Sequence, residues 1–203
     1  MKQYVISGIG TEVGKTVVSA IVSEALKATY WKPVQAGELD NTDSNKIERL
    51  TSNVRVLKEA FKLNQPMSPH AAAEIDGVEI NLNSFTLPSV ETNLVIEGAG
   101  GLLVPINKDG LLYADVFLKW QLPVIIVSRH YLGSINHSLL TAEALKNRGI
   151  KIAGWIFVGD ENKTSESIIL KVTNLPMIAR IPLVDEVTKE FVAEQASKIA
   201  SQL

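Results

Sequence analysis

Lys15 and Thr16 close a glycine-rich run, Gly8-Ile9-Gly10-Thr11-Glu12-Val13-Gly14-Lys15-Thr16, that follows an apolar stretch and opens an amphipathic one. That order suits the binding of a phosphate chain. Glycines let the backbone approach an anion, and the N–H groups of a helix's first turn point at it. Lys15 would reach the terminal phosphates, and the Thr16 hydroxyl would face Mg²⁺. Five residues separate Gly8 from Gly14, one more than in the commonest form of such loops. A second candidate is Glu97 in Leu94-Val95-Ile96-Glu97-Gly98-Ala99-Gly100-Gly101. An acid at the end of a buried strand, beside a glycine turn, sits where a parallel sheet presents its ligand-binding edge. As a hard oxygen donor it would hold a metal directly or through water. The third is Lys32 in Tyr30-Trp31-Lys32-Pro33-Val34-Gln35-Ala36-Gly37. A second lysine on that edge would neutralise charge developing on a transferring phosphate. Asp43 or Ser44 reads as a helix cap.

The elements that must position these residues follow from periodicity. Residues 3–7 read as a first strand and 15–28 as a helix, with Val18, Ile21, Val22, Ala25 and Leu26 at helical spacing. A short strand is expected over 30–34 and a helix over 43–51, while 52–90 shows no regular pattern. Beyond it come a strand over 93–98, a helix over 113–120 and a strand over 122–128. A helix over 136–148 ends at Gly149. A strand over 152–158, a helix over 164–173, a strand over 177–181 and a helix over 187–202 complete the pattern. Strands separated by helices imply parallel pairing through right-handed crossovers, hence a three-layer α/β domain spanning 1–203.

Composition excludes much else. The 203 residues are 46% hydrophobic and 21% charged, with a formal charge of -2, so no basic excess exists to grip nucleic acid. There is no cysteine, which removes disulfides, thiolate metal sites and cysteine nucleophiles. His70, His130 and His137 are too dispersed for a local metal pair, and each reads as a structural histidine. Neither the apolar core of a signal peptide nor a membrane-length apolar run is visible, so no membrane role and a cytoplasmic location are expected.

Taken together, Thr11-Glu12-Val13-Gly14-Lys15-Thr16, Lys32-Pro33-Val34-Gln35-Ala36-Gly37, Ser68-Pro69-His70, Val95 to Gly101 before Val104-Pro105, and Leu132-Gly133-Ser134-Ile135-Asn136-His137 resemble the dethiobiotin synthetase family of biotin biosynthesis. The five-residue loop spacing is that family's own. The resemblance implies a P-loop NTPase-like fold, with a mostly parallel central sheet flanked by helices. It implies a cyclo-ligase that closes a ureido ring on 7,8-diaminopelargonate with CO₂, Mg²⁺ and a nucleoside triphosphate, normally ATP, with GTP or another triphosphate as the alternative. One amine takes up CO₂ as a carbamate, the carbamate attacks the γ-phosphorus, and the second amine displaces phosphate.

By the same resemblance, Lys15, Lys32, Glu12 and Thr11 are the catalytic set. Gly10, Thr11, Glu12, Val13, Gly14, Lys15, Thr16 and Val17 would hold the nucleotide, with Glu97, Gly98 and Pro182. Thr16, Asp43 and Glu97 would bind magnesium. Lys32, Ala36, Gly100 and Gly101 would meet the substrate, and Leu132, Gly133 and Asn136 would form a wall supplied by the partner of a homodimer. Four positions depart from the family pattern: Ile9-Gly10 for a frequent Thr-Asp, Ala36 for a small hydroxyl residue, and Val158 for an adenine-reading Asn.

Other classes share such a loop. A chromosome-partition or division-site ATPase switch carries a second loop lysine, where this chain has Gly10. It often ends in a basic amphipathic helix, whereas 187–202 mixes Lys189 and Lys198 with Glu190 and Glu194. A cobyrinate-type amidotransferase would need a long glutaminase domain beyond Leu203. A catalytically dead binding module has no need of an intact Lys15, Thr16, Lys32 and Glu97.

Overall fold

The computed structural model describes residues 1–203. Strand β1 (Gln3–Gly8) is followed by α1 (Lys15–Leu26), β2 (Thr29–Trp31), β3 (Val34–Ala36), α2 (Asp43–Leu50), β4 (Arg55–Val56), β5 (Phe61–Leu63) and α3 (Pro69–Asp76). A 3-10 turn at Leu82–Ser84 precedes β6 (Leu94–Gly101), α4 (Tyr113–Trp120), β7 (Val124–Arg129) and α5 (Ser134–Asn147). Then come β8 (Ile152–Val158), α6 (Lys163–Thr173), β9 (Met177–Ile181) and α7 (Lys189–Ile199).

Seven strands form one sheet in the order β4-β2-β6-β1-β7-β8-β9, and every neighbouring pair is parallel. Helix α1 packs with α2 and α7, and α5 packs with α6, so the sheet is the middle of three layers. A parallel sheet is covered on both faces, so its strands are apolar throughout rather than alternating. Val124 to Val127 of β7 are all fully buried.

The expected strand over 30–34 is two strands. Pro33 has no N–H for the ladder, and β2 ends at Trp31. The chain then steps out of the main sheet, and β3 pairs with β5 in a separate two-stranded sheet, Val34 opposite Phe61. The α2 cap is also corrected. Thr42, rather than Asp43 or Ser44, accepts from the Asn45 N–H at 3.1 Å, and Asn45 returns a bond to the Thr42 N–H. Helix α5 begins two residues earlier than expected, because Gly133 adopts the left-handed conformation that turns the chain into it (φ 100°).

Residues 52–90, irregular as sequence, are anchored by long-range packing. Trp120 of α4 meets Trp31 and Phe85 at ring-centroid distances of 5.8 and 6.4 Å, and its indole N–H donates to the Phe85 carbonyl at 2.9 Å. The strand order also creates a crevice. From β1 the chain runs outward to β2, whereas from β6 it crosses to β7 on the other side of β1. Ligands of open α/β sheets bind where connections diverge in this way, outside the carboxyl ends of the strands.

Candidate active site

The loop after β1 delivers an uncapped helix to that crevice. The cap position of α1, Gly14, is left-handed (φ 92°), no side chain bonds the first-turn N–H groups, and no acid lies in that turn. These donors, with the positive end of the helix dipole, are free for an anion. A side chain at Gly14 would also press on Val158, whose Cγ1 lies 3.2 Å from the position of a Cβ. Glu12 is left-handed as well (φ 56°), an uncommon state for a residue with a Cβ. Lys15 is buried, and its ammonium donates to the Gly10 carbonyl at 2.8 Å, folded over its own loop.

Across the crevice, β6 and the end of β2 bring a second cation to an acid. Ile96 lies opposite Trp31, so the next residues, Glu97 and Lys32, stand side by side. Lys32 donates to Glu97 Oε1 at 3.1 Å and pairs with Asp43 Oδ2 at 2.6 Å. The Thr16 hydroxyl donates to the same Glu97 Oε1 at 3.0 Å. Asp43, the first residue of α2, has its own N–H 3.3 Å from Gln35 Oε1, and Lys46 reaches its other oxygen at 3.4 Å. These groups border one cleft of about 700 Å³.

The electrostatics separate the two lysines. Burial, with Lys32 nearby, lowers the Lys15 ammonium to about 8 in spite of Glu97 and Asp43. Burial acts on Lys32 in the same direction, but Glu97 and Asp43 outweigh it and hold its charge above the ordinary lysine range. Burial would raise Asp43, yet Lys32 keeps it below the usual carboxylate range. Lys32 is thus a fixed charge, and Lys15 is one that a phosphate would complete.

Of the residues expected at the site, Thr11, Glu12, Gly14, Lys15, Thr16 and Val17 line the cleft. So do Lys32, Ala36, Asp43, Glu97 and Gly100. Gly10 enters through its carbonyl, and its Cα lies 3.6 Å from where a Cβ on Gly101 would stand. Val13 is buried beneath the loop, and Gly98 faces the Phe117 ring rather than the cleft. Leu132, Gly133 and Asn136 are exposed at the start of α5, and Pro182 is exposed beyond β9; none of the four borders the cleft. Each histidine has a partner: Ser68 Oγ for His70 at 2.9 Å, Glu166 for His130 at 3.1 Å and the Tyr131 hydroxyl for His137 at 2.8 Å. Sequence reasoning missed Gln35 and Lys46, which hold Asp43, and Tyr30, whose hydroxyl reaches Glu97 from below. The spacing of Lys46 three residues after Asp43 was the available signal.

The donor set suits Mg²⁺. No cluster of three or more His, Asp or Glu side chains capable of holding a metal exists in the chain. Two carboxylates and a hydroxyl are what a magnesium site needs when nucleotide phosphates and water complete the shell. Thr16 spends its proton on Glu97, which leaves its oxygen lone pairs free.

A parallel sheet, an uncapped helix preceded by a glycine loop, and a lysine–threonine pair facing a strand-end acid define a P-loop nucleotide-binding protein, and the profile of the family described as an AAA domain matches residues 2–191. Among solved structures, the fold is shared with the cell-division ATPase MinD of Pyrococcus furiosus (TM-score 0.62, 15% identity, covering 100% of this chain and 98% of that one). It is shared too with a ParA family ATPase of Chlorobium tepidum TLS (TM-score 0.54, 14% identity, 98% and 95% covered). At such identities the likeness concerns fold alone. Sequence relatives are far nearer. The chain is 55% identical over 202 residues to the ATP-dependent dethiobiotin synthetase BioD of Christiangramia forsetii, covering 97% of each. It is 49% identical to that of Cytophaga hutchinsonii, covering 98% of this chain and 97% of the relative. The chain belongs to the dethiobiotin synthetase family.

Proposed function

We propose that this chain, as one domain over 1–203, carries out the family's ATP-dependent ring closure of 7,8-diaminopelargonate with CO₂, taken up on one amine as a carbamate, forming dethiobiotin with release of ADP and phosphate. The observation that carries the reading is the convergence of Lys15 and Lys32 on one cleft with Thr16, Asp43 and Glu97. No side chain there forms a covalent intermediate, so rate must come from positioning and charge neutralisation.

The first turn of α1 and the loop amides hold the triphosphate, and Lys15 leaves the Gly10 carbonyl for the terminal phosphates. Lys32, fixed in charge by Glu97 and Asp43, faces the carbamate and the phosphoryl group it attacks. The carbamate oxygen bonds to the γ-phosphorus as the bond to the ADP oxygen breaks. The second amine then attacks the carbonyl carbon, and phosphate leaves. Thr11 and Glu12 lie at the rim, next to the reacting amines. Thr16, Asp43 and Glu97 would hold Mg²⁺, and the ion would supply charge neutralisation for the phosphates. Val158 packs on Gly14 and offers no amide to a base edge, which is why GTP is tested beside ATP.

We place Leu132, Gly133 and Asn136 opposite the substrate of a second subunit in a homodimer, which accounts for their exposure away from their own cleft. No helix is long and apolar enough to cross a membrane, and we assign a cytoplasmic location. The test is phosphate release with Mg²⁺, bicarbonate and ATP or GTP, with and without the diamine. Diamine-dependent release, with a cyclic urea formed in equal amount, is expected. Hydrolysis indifferent to the diamine overturns the reading.

A further inference from the structure

Tyr30, in β2, is fully buried, and its phenolic O–H donates to Glu97 Oε2 at 2.9 Å. The other oxygen, Oε1, receives the bonds from Thr16 and Lys32 at 3.0 and 3.1 Å. One carboxylate oxygen therefore serves the cleft and the other is tied to the core. The terminal torsion of a glutamate is broad and roughly two-fold, so the backbone of β6 does not by itself choose this orientation. The bond from Tyr30 does, and it comes from a rigid ring on a strand paired on both sides, by β4 and by β6.

We propose that Tyr30 is a positioning residue: it pins Glu97 Oε2, holds Oε1 against the Thr16 hydroxyl, and so keeps the Thr16 oxygen available to a divalent cation. Packing alone would be served by phenylalanine. Loss of a partner that orients a metal-site ligand typically costs about 10–100-fold in metal affinity. The inference rests on the cation-binding role given above to Thr16 and Glu97.

The test is Mn²⁺ binding to the ADP-loaded protein, followed by electron paramagnetic resonance, for wild type, Tyr30→Phe and Thr29→Val. Thr29 is buried on the same strand and bonds Thr92 at 2.8 Å, so its loss perturbs β2 without touching Glu97. Tyr30→Phe is expected to weaken Mn²⁺ about 10-fold or more, with metal-free ADP affinity unchanged. Thr29→Val should bind Mn²⁺ as wild type does. Site-specific 4-aminophenylalanine at position 30, which keeps a donor on the same ring, should restore most of the affinity. Wild-type Mn²⁺ binding in Tyr30→Phe, an equal loss in Thr29→Val, or no recovery with the amino variant overturns the proposal. Absence of nucleotide-dependent Mn²⁺ binding in wild type overturns the cation role, and this inference with it.

Discussion

At the scale of single residues, the site depends on which charges are fixed and which are not. Lys32 neutralises two acids in its resting state, and Glu97 is only 1% exposed. Lys32→Ala removes the cation facing the transferring group and strands Glu97. Turnover should fall ~10²-fold or more, and urea denaturation should show a loss of about 3 kcal/mol, the cost of leaving a buried charge unpaired. Lys15 behaves differently, since it titrates near 8 in the free protein against 10.5 for an ordinary lysine. Phosphates restore its proton, so metal-free ADP binding should take up a proton near pH 8 and weaken as pH rises through that value. Calorimetry in buffers of different ionisation enthalpy reads both. For folding the sign is opposite. Between about 8 and 10.5 the unfolded chain holds the extra proton, so the penalty from Lys15 is full below pH 8 and is relieved as pH rises. Lys15 and Thr16 were legible as sequence because they follow Gly14 at the start of a helix, Lys32 because Pro33 follows it, and Glu97 because it opens a glycine-rich run. Tyr30 was not, because a tyrosine inside a buried strand looks like packing until its hydroxyl's partner is known.

At the scale of elements, the step from β2 to β3 decides where Lys32 points. The left-handed Gly37 (φ 70°) closes the turn after β3, and a Cβ there would lie 2.5 Å from the Pro66 Cα. Gly37→Ala should therefore destabilise by ~2 kcal/mol or more and raise KM for the diamine, because Ala36 and Pro66 both border the cleft. A second element-level tie joins α6 to β9, where Glu166 accepts from Arg180 Nε at 3.0 Å and from His130 at 3.1 Å. Burial opposes the charge, but these donors hold Glu166 below the usual glutamate range. Its contribution is present above the unfolded value near 4.5 and lost as pH falls through the lower folded value. Denaturation of Glu166→Gln against wild type should show a gap of about 1–2 kcal/mol at neutral pH, closing below about pH 4. The strands from β6 onward were readable from length and β-branching. The small β3–β5 sheet and α3 were not, since their residues are held by partners far along the chain, such as Phe85 against Phe61 of β5 and the Pro105 carbonyl, which accepts from the His70 N–H of α3.

At the scale of the molecule, the start of α5 presents Leu132 fully exposed, with Leu140 half exposed along the helix. A second subunit would cover this face and complete the substrate wall. Leu140→Asp should convert a dimer to monomers in sedimentation, with far-ultraviolet dichroism retained and turnover lost. A sedimenting monomer in the wild type would remove the basis for the wall.

The strand order has one more consequence, for biosynthesis on the ribosome. The first strand to emerge becomes the middle of the sheet, and both its neighbours, Leu94–Gly101 and Val124–Arg129, are made much later. At 5–20 residues per second, that leaves an apolar ribbon without flanking partners for roughly 5–25 s. A nascent chain halted before residue 124 lacks β7, whose Val127 carbonyl accepts from the Ile9 N–H in the glycine loop, so that loop gains its second anchor only after every residue bordering the cleft has been made.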